Sequence, residues 1–383
     1  MGMVNMTTKR LCPCCSNSQA YKLCTIQLCA IEDERLPLSF DVVACAKCGF
    51  CFDDMAACQK DFDDYYAGIV KYQIQNTYGS GEFTSAEVNR YDDIYSFCKT
   101  HLANDSKILD IGSGKMGLLK RLSQLGFKNL YAIEPSALKE KDDKIITYDS
   151  LDEVVDKNSK FDFVFCTQVL EHVFDVEKFI HNLSTIIEPQ GACYIEIPDS
   201  GKYSASYIAP FHLFDREHIN HFTSRSLNTT FGLRGFTKKS ERKFHYVYEN
   251  IGCIFKKGSD GSELVFDAEG RANIENYVYR SLQQDGLEQL HDAKSPIILW
   301  GLGAYLRRII LKNAFPKNIA AIIDRDRGGK GLLWNGIPLV TADVLSNAEF
   351  SHATVIITSV LYADEIKRQI SSMNFKGTVL TAF

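Results

Sequence analysis

The stretch from Lys107 to Leu125 constrains the fold most. Lys107–Ile111 is a short apolar run that reads as a buried strand, and it leads straight into Gly112-Ser113-Gly114. Leucines at 118, 119, 122 and 125 then recur at helical spacing, so an amphipathic helix is expected over about 118–125. Glycines at such a bend let the backbone approach a ligand closely, and the open start of the helix offers unpaired amides to a carboxylate or phosphate. A second apolar run, 129–133, ends in Glu134-Pro135, an acid placed to accept hydrogen bonds from both hydroxyls of a ribose. Together the two features predict an α/β fold that binds an adenosine-type ligand. A dinucleotide fold has Gly-x-Gly-x-x-Gly at this bend, whereas the turn here runs Asp110-Ile111-Gly112-Ser113-Gly114-Lys115-Met116-Gly117, with an acid just ahead of the glycines.

Further along, FDFVFCTQVLEHVFDVEKFIHNLSTIIEPQGACYIEIPD supplies a buried strand, a polar turn, a helix, a Pro-Gln-Gly turn and another strand. In that order the segments resemble class I S-adenosylmethionine-dependent methyltransferases. The residues that carry the resemblance are Asp110 to Gly114, Glu134-Pro135, Val169-Leu170-Glu171-His172-Val173 and Glu188-Pro189-Gln190-Gly191. It implies a methionine moiety over the turn of Asp110, Gly112, Ser113 and Gly114, and a ribose on Glu134 with Pro135 beside it. Adenine would lie near 148–151, where Asp149 and Ser150 stand, and Gln168 and His172 would flank the sulfonium. Met116 stands where that family usually has glycine.

Two cysteine pairs near the amino terminus share one spacing, Cys12 with Cys15 and Cys45 with Cys48. A two-residue gap lets a tight turn aim both sulfurs at one ion, and Gly49 permits the backbone such a knuckle needs. Four thiolates make a closed tetrahedral zinc site that holds structure and leaves no position for chemistry. Cys14 competes with its neighbours as a ligand, and ordinary reduced thiols are the competing account.

Beyond 195–199 the chain reads PFHLFDREHINHFTSRSLNTTFGLRGF, with histidines at 212, 218 and 221. His218 is the acid-base candidate, because imidazole titrates near neutrality and Glu217 can tune it or bind substrate hydroxyls. A metal held by His212, His218 and His221 is the weaker alternative. The arrangement resembles the sugar C-methyltransferase family on its cysteine pairs, on Leu36-Pro37-Leu38 ahead of Cys45-x-x-Cys48-Gly49, and on Glu217-His218 followed by Phe222-Thr223. That resemblance implies a zinc-binding amino-terminal domain, a class I Rossmann-like core and a second, carboxy-terminal Rossmann-like α/β domain. It also implies a nucleotide-linked sugar as substrate. His218 would then take a proton from carbon beside a ketone, or from a hydroxyl.

The expected domains are 1–75 for the zinc unit with a lid or connector, 76–258 for the methyltransferase core, 259–295 for a bridging helix, and 296–383 for the last unit. In that unit a strand to Trp300, the turn Gly301-Leu302-Gly303, a helix over 305–311 and a strand ending at Asp324 make a nucleotide-binding outline. Leu306 stands at the third glycine of the dinucleotide fingerprint. Alternatives are an NAD-dependent oxidoreductase working through 296–383 and a noncatalytic zinc-bearing assembly module. A formal charge of −5, spread over mixed acidic and basic stretches, speaks against nucleic acid. With neither an export signal nor a membrane-spanning run, a cytoplasmic protein is expected.

Overall fold

A computed structural model describes residues 4–31, 35–68, 81–136, 141–246, 248–258, 263–284, 293–294, 296–312 and 315–383. Part of the expected connector, 69–80, and part of the expected bridge, including 285–292, lie outside them.

The first sheet is antiparallel. Its strands β1 (Val4–Thr7), β2 (Gln19–Gln27), β3 (Ser39–Cys45) and β4 (Cys51–Asp54) lie side by side in chain order. Helix α1 (Gln59–Gly68) follows and buries Phe62 against them.

The central sheet begins after helix α2 (Ser85–Cys98), whose amino terminus is capped by the Thr84 hydroxyl. Its strands are β5 (Lys107–Ile111), β6 (Asn129–Ile133), β7 (Ile145–Tyr148), β8 (Phe161–Thr167) and β9 (Ile187–Pro198). The very short β10 (Asn220–His221) leaves this sheet and pairs with β4. A hairpin of β11 (Phe236–His245) and β12 (Glu249–Lys257) completes the order β11-β12-β9-β8-β5-β6-β7. Pairs among β5 to β9 are parallel, and the hairpin adds antiparallel pairs at the β9 side. Ile108, Leu109, Phe163, Val164, Phe165 and Cys166 are all fully buried, as expected of parallel strands covered on both faces. Strand order reverses at β5, where its neighbours are β6 and β8, so a crevice opens at the carboxyl ends of these strands.

Helices α3 (Gly117–Gln124), α4 (Leu151–Asp156), α5 (Val176–Ile186) and α6 (Ser224–Gly232) pack against this sheet or its hairpin. The Pro-Gln-Gly segment expected to be a turn is instead the opening of β9, extended through Pro189 and Gly191. The expected bridge contributes α7 (Ala268–Gln283), which buries Ile274, Tyr277 and Val278 against Phe40, Val42 and Phe62 of the first unit. It is therefore an inner layer and more than a connection.

The third sheet has the order β15-β16-β14-β13-β17-β18. Its strands are β13 (Ile297–Trp300), β14 (Ile319–Ile323), β15 (Leu333–Trp334), β16 (Ile337–Val340), β17 (Thr354–Ile357) and β18 (Thr378–Thr381). All pairs but β15–β16 are parallel. Helices α8 (Ala304–Ile309) and α9 (Ala363–Ser372) flank it, and α8 is shorter than expected. Arg307 donates from Nε to the Cys29 carbonyl at 2.8 Å, and Arg308 donates to the Pro210 carbonyl at 2.9 Å, tying this unit to the other two. No helix among the described residues is long and apolar enough to cross a membrane.

Candidate active site

The bend after β5 is built as its glycines suggest. Gly112 has φ +71° and Gly114 has φ +53°, and a Cβ on Gly112 would meet Val169 Cγ2 at 2.5 Å. Met116 also adopts a left-handed backbone, with φ 60°, directly before α3. Its side chain is fully buried, which holds in place a conformation that glycine adopts freely.

Above this bend lies a cavity of about 870 Å³. At one end its wall contains Gly112, Gly114, Glu134, Pro135, Asp149 and Ser150. The Glu134 carboxylate accepts the Gly114 N–H at 2.8 Å and the Ser136 N–H at 3.1 Å, so the acid after β6 is locked onto the glycine bend. Ser150 caps α4 by accepting the Glu153 N–H, and the Asp149 N–H donates to the Glu153 carboxylate. Asp110 and Ser113 do not reach the wall. Both are buried beneath it, and neither Asp110 Oδ1 nor Ser113 Oγ has a hydrogen-bond partner. Burial pushes the Asp110 carboxyl up to about 8, against the opposing charge of Arg90. They support the bend from below rather than line it.

The other end of the cavity gathers Gln168, His172, Glu217 and His218. Gln168 has φ 56°, and its amide donates to Asn250 Oδ1 at 2.9 Å. His172 Nδ1 lies 2.9 Å from the Tyr66 hydroxyl and 3.0 Å from the Glu217 carbonyl. Burial, and then the neighbouring His218, hold His172 well below the usual imidazole range. Asp215 Oδ1 accepts the N–H groups of both Glu217 and His218, at 2.7 and 2.9 Å, and so sets the turn that aims them.

The reading that Glu217 tunes His218 or binds substrate hydroxyls is refined by this geometry, which brings a second carboxylate to the imidazole. The Glu217 carboxylate accepts the Tyr65 hydroxyl at 2.7 Å, and the carboxylate that meets His218 is Glu171. Glu171 is 2% exposed, and burial pushes its carboxyl up to about 7, with His218 opposing. The three-histidine alternative is corrected. His221 is fully buried against Asp53 at 3.1 Å, and His212 sits by Tyr277 and the Ala209 carbonyl. Tyr65, Tyr66, Tyr246, Tyr248 and Asn250 have no place in the sequence reading, and Glu171 enters it only as a member of the Val169–Val173 run, with no role assigned. The tyrosine-rich connector and the Leu-Glu-His-Val run were the available signals.

The four cysteines read as ligands converge. Cys12 Sγ lies 3.5 Å from Cys48 Sγ, Cys15 Sγ lies 3.6 Å from Cys45 Sγ, and all four sulfurs lie within 4.8 Å of one another. Sulfurs bonded at about 2.3 Å around a tetrahedral ion sit roughly 3.8 Å apart, so this set fits such an ion. Gly49 has φ +77° and abuts the Asp267 backbone, where a Cβ would come within 2.9 Å of the carbonyl. Cys14 is buried but is not one of the converging four.

Residues 83–241 match the family described as a methyltransferase domain. With its β12 neighbour the matched stretch forms a parallel sheet closed by an antiparallel hairpin. The chain is 32% identical over 103 residues to the ubiquinone biosynthesis O-methyltransferase of Rickettsia bellii, a match covering 24% of this chain and 42% of the relative. It thus spans less than half of that relative's length. Among solved structures, it is similar to the magnesium protoporphyrin IX methyltransferase of Synechocystis PCC 6803 with bound S-adenosylhomocysteine. That likeness has 16% identity and a TM-score of 0.40, and covers 52% of this chain and all of the other. The 1,6-didemethyltoxoflavin-N1-methyltransferase of Burkholderia thailandensis is similar at 12% identity and a TM-score of 0.42, with 61% of this chain and 100% of that one covered.

In the third sheet, Leu306 is fully buried in the core behind β13. A dinucleotide fingerprint has glycine at that position so that helix and strand pack closely. Leu361 and Tyr362, which follow β17, reach the wall of the methyltransferase cavity.

Proposed function

We propose that the chain transfers a methyl group from S-adenosylmethionine to a nucleotide-linked sugar, at the carbon beside a keto group or at a hydroxyl oxygen. The reading is carried by one continuous cavity that joins the glycine bend and Glu134 to His172 and His218. The cofactor supplies an electrophilic methyl on a sulfonium. Gly112 and Gly114 leave space for its methionine portion, Glu134 is the ribose acceptor, and Asp149 and Ser150 flank the adenine. Gln168 and His172 border the sulfonium. His218 is the base that takes the acceptor's proton, and Glu217 holds acceptor hydroxyls. The sequence resemblance to sugar C-methyltransferases supports the substrate class, as do the hydroxyl and amide groups of Tyr66, Tyr248 and Asn250 on the acceptor wall.

Cys12, Cys15, Cys45 and Cys48 are read as a structural zinc site, and residues 296–383 as a wall for the acceptor. The buried Leu306 disfavours the oxidoreductase alternative. Incubation of labelled cofactor with a panel of nucleotide sugars, with the new methyl located by NMR, tests the reading. A methylated sugar is expected. Cofactor turnover onto small phenols with no nucleotide sugar accepted would overturn it. Deuterium exchange at substrate carbon without cofactor separates carbon from oxygen methylation.

A further inference from the structure

Apart from the cysteine cluster, one other set among the described residues brings metal-ligating atoms together. Glu171, His172 and His218 each place one ligand atom within 4.8 Å of the others. We propose that these three side chains bind a divalent cation at the acceptor end of the cavity.

Glu171 is 2% exposed, and neither of its carboxylate oxygens has a hydrogen-bond partner. A buried ionised carboxylate is tolerated when it is paired or coordinates a metal. Glu171 Oε1 lies 3.8 Å from His172 Nε2, too far for a hydrogen bond. Two ligands of one ion with bonds of about 2.0–2.2 Å sit roughly 3.3–3.6 Å apart at a tetrahedral angle, so a shift of a few tenths of an ångström brings this pair onto one ion. The tautomer agrees. A carbonyl can only accept, so the 3.0 Å contact of His172 Nδ1 with the Glu217 carbonyl, shared with the Tyr66 hydroxyl at 2.9 Å, fits the Nδ1–H tautomer, which leaves the Nε2 lone pair toward Glu171. An outer hydrogen bond of this kind is what orients metal-binding imidazoles. His218 is presented by the Asp215 turn, with its ring centroid 4.7 Å from that of His172.

All three residues line the cavity, so the remaining coordination positions face the space where an acceptor enters. Three protein ligands with an open position make a catalytic rather than a structural set, and an oxygen of the acceptor would take that position. This last step rests on the methyl-transfer reading; the cation site does not. Without the cation His218 is the base, as in the methyl-transfer reading; with it the His218 lone pair is occupied, and the acceptor's proton passes instead to the Glu217 carboxylate on the same wall.

The test uses the full chain with zinc filling its cysteines. Cobalt(II) is titrated in, with metal content and visible absorption read together. One further equivalent is expected, with weak bands of nitrogen and oxygen ligation and no thiolate charge-transfer band. Glu171→Gln and His218→Asn should each weaken cobalt binding by about tenfold or more. Asp63→Asn, on the same cavity wall but outside the set, should leave it unchanged. Thermal unfolding checks that Glu171→Gln folds, which its loss of a buried unpaired charge favours. Absence of a second equivalent, unaltered affinity in Glu171→Gln, or an equal loss in Asp63→Asn would each overturn the proposal. Calorimetry with S-adenosylmethionine on the same samples keeps the two ideas apart. Cobalt bound without cofactor binding defeats the methyl-transfer reading alone, and the reverse defeats the cation site alone.

Discussion

Gly112 carries two constraints that a side chain would break separately. Its φ of +71° lies where a branched residue is strained by roughly 1–2 kcal/mol, and the space beside it is taken by Val169. Gly112→Val should therefore abolish measurable cofactor binding and lower the melting temperature. Adding Val169→Ala should return part of the stability, because only the clash is relieved. Calorimetry and thermal unfolding of the single and double variants check both statements. Asp110 gives a pH signature. Its carboxyl is raised to about 8 in the fold from an ordinary value near 3.8, so the folded chain holds a proton that the unfolded chain releases. Its contribution to stability is then largest below about pH 4 and falls as pH rises towards 8, at up to roughly 1.4 kcal/mol per pH unit. Asp110→Asn should remove this component, seen as a shallower fall in urea stability between pH 5 and 8 than in the unaltered chain. An unchanged slope would show that the burial is relieved in solution.

At the scale of elements, the two-residue strand β10 joins the cysteine unit to the acceptor end of the site. Ile219 donates its N–H to the Glu171 carbonyl at 2.9 Å and accepts the Asp53 N–H at 3.0 Å. Asn220 donates to the carbonyls of Leu170 and Val173, and its own oxygen accepts from Arg10. Loosening the cysteine knuckles should thus disturb His218 and spare the glycine bend. Cys45→Ser is expected to cut turnover by at least about tenfold while cofactor affinity, read by calorimetry, changes little. A parallel loss of both would place the coupling elsewhere. Strands β5, β6 and β8 were legible because buried parallel strands read as unbroken apolar runs, and the glycine bend and Glu134 were legible because few residue types serve there. Strand β10 was not, since two polar residues carry no periodicity and their partner lies in β4. Glu171 was hidden for a related reason. An acid beside a histidine looks solvated in sequence, and only the packing of β10 over it takes it out of water.

For the whole molecule, three sheets converge on one cavity, with Gln59 and Tyr66 from the first unit, the central bend, and Leu361 and Tyr362 from the third all on its wall. Among the described residues, the third unit contributes only Leu361 and Tyr362 to that wall. Removing residues 296–383 should leave cofactor affinity near that of the full chain and raise the acceptor KM by at least about tenfold, measurable once a turnover assay is in hand. Loss of cofactor binding in a folded, truncated chain would contradict this division. The cysteine cluster and the central sheet also share a single apolar core, in which Cys12, Cys45 and Phe50 pack with Leu109, Phe222 and Phe231.

Strand β12 lies between β9 and β11, yet it begins at Glu249, after the last residue of the matched stretch. Excised at its sequence borders, the domain would have a slot one strand in from the edge of its sheet, with β9 and half of β11 facing each other across a missing neighbour. Backbone groups bared along such a slot invite another copy to fill it. A piece with a complete sheet must therefore run at least to Lys257, and the core shared with the cysteine knuckles reaches back further still, so here the packed unit is larger than the unit that sequence similarity delimits.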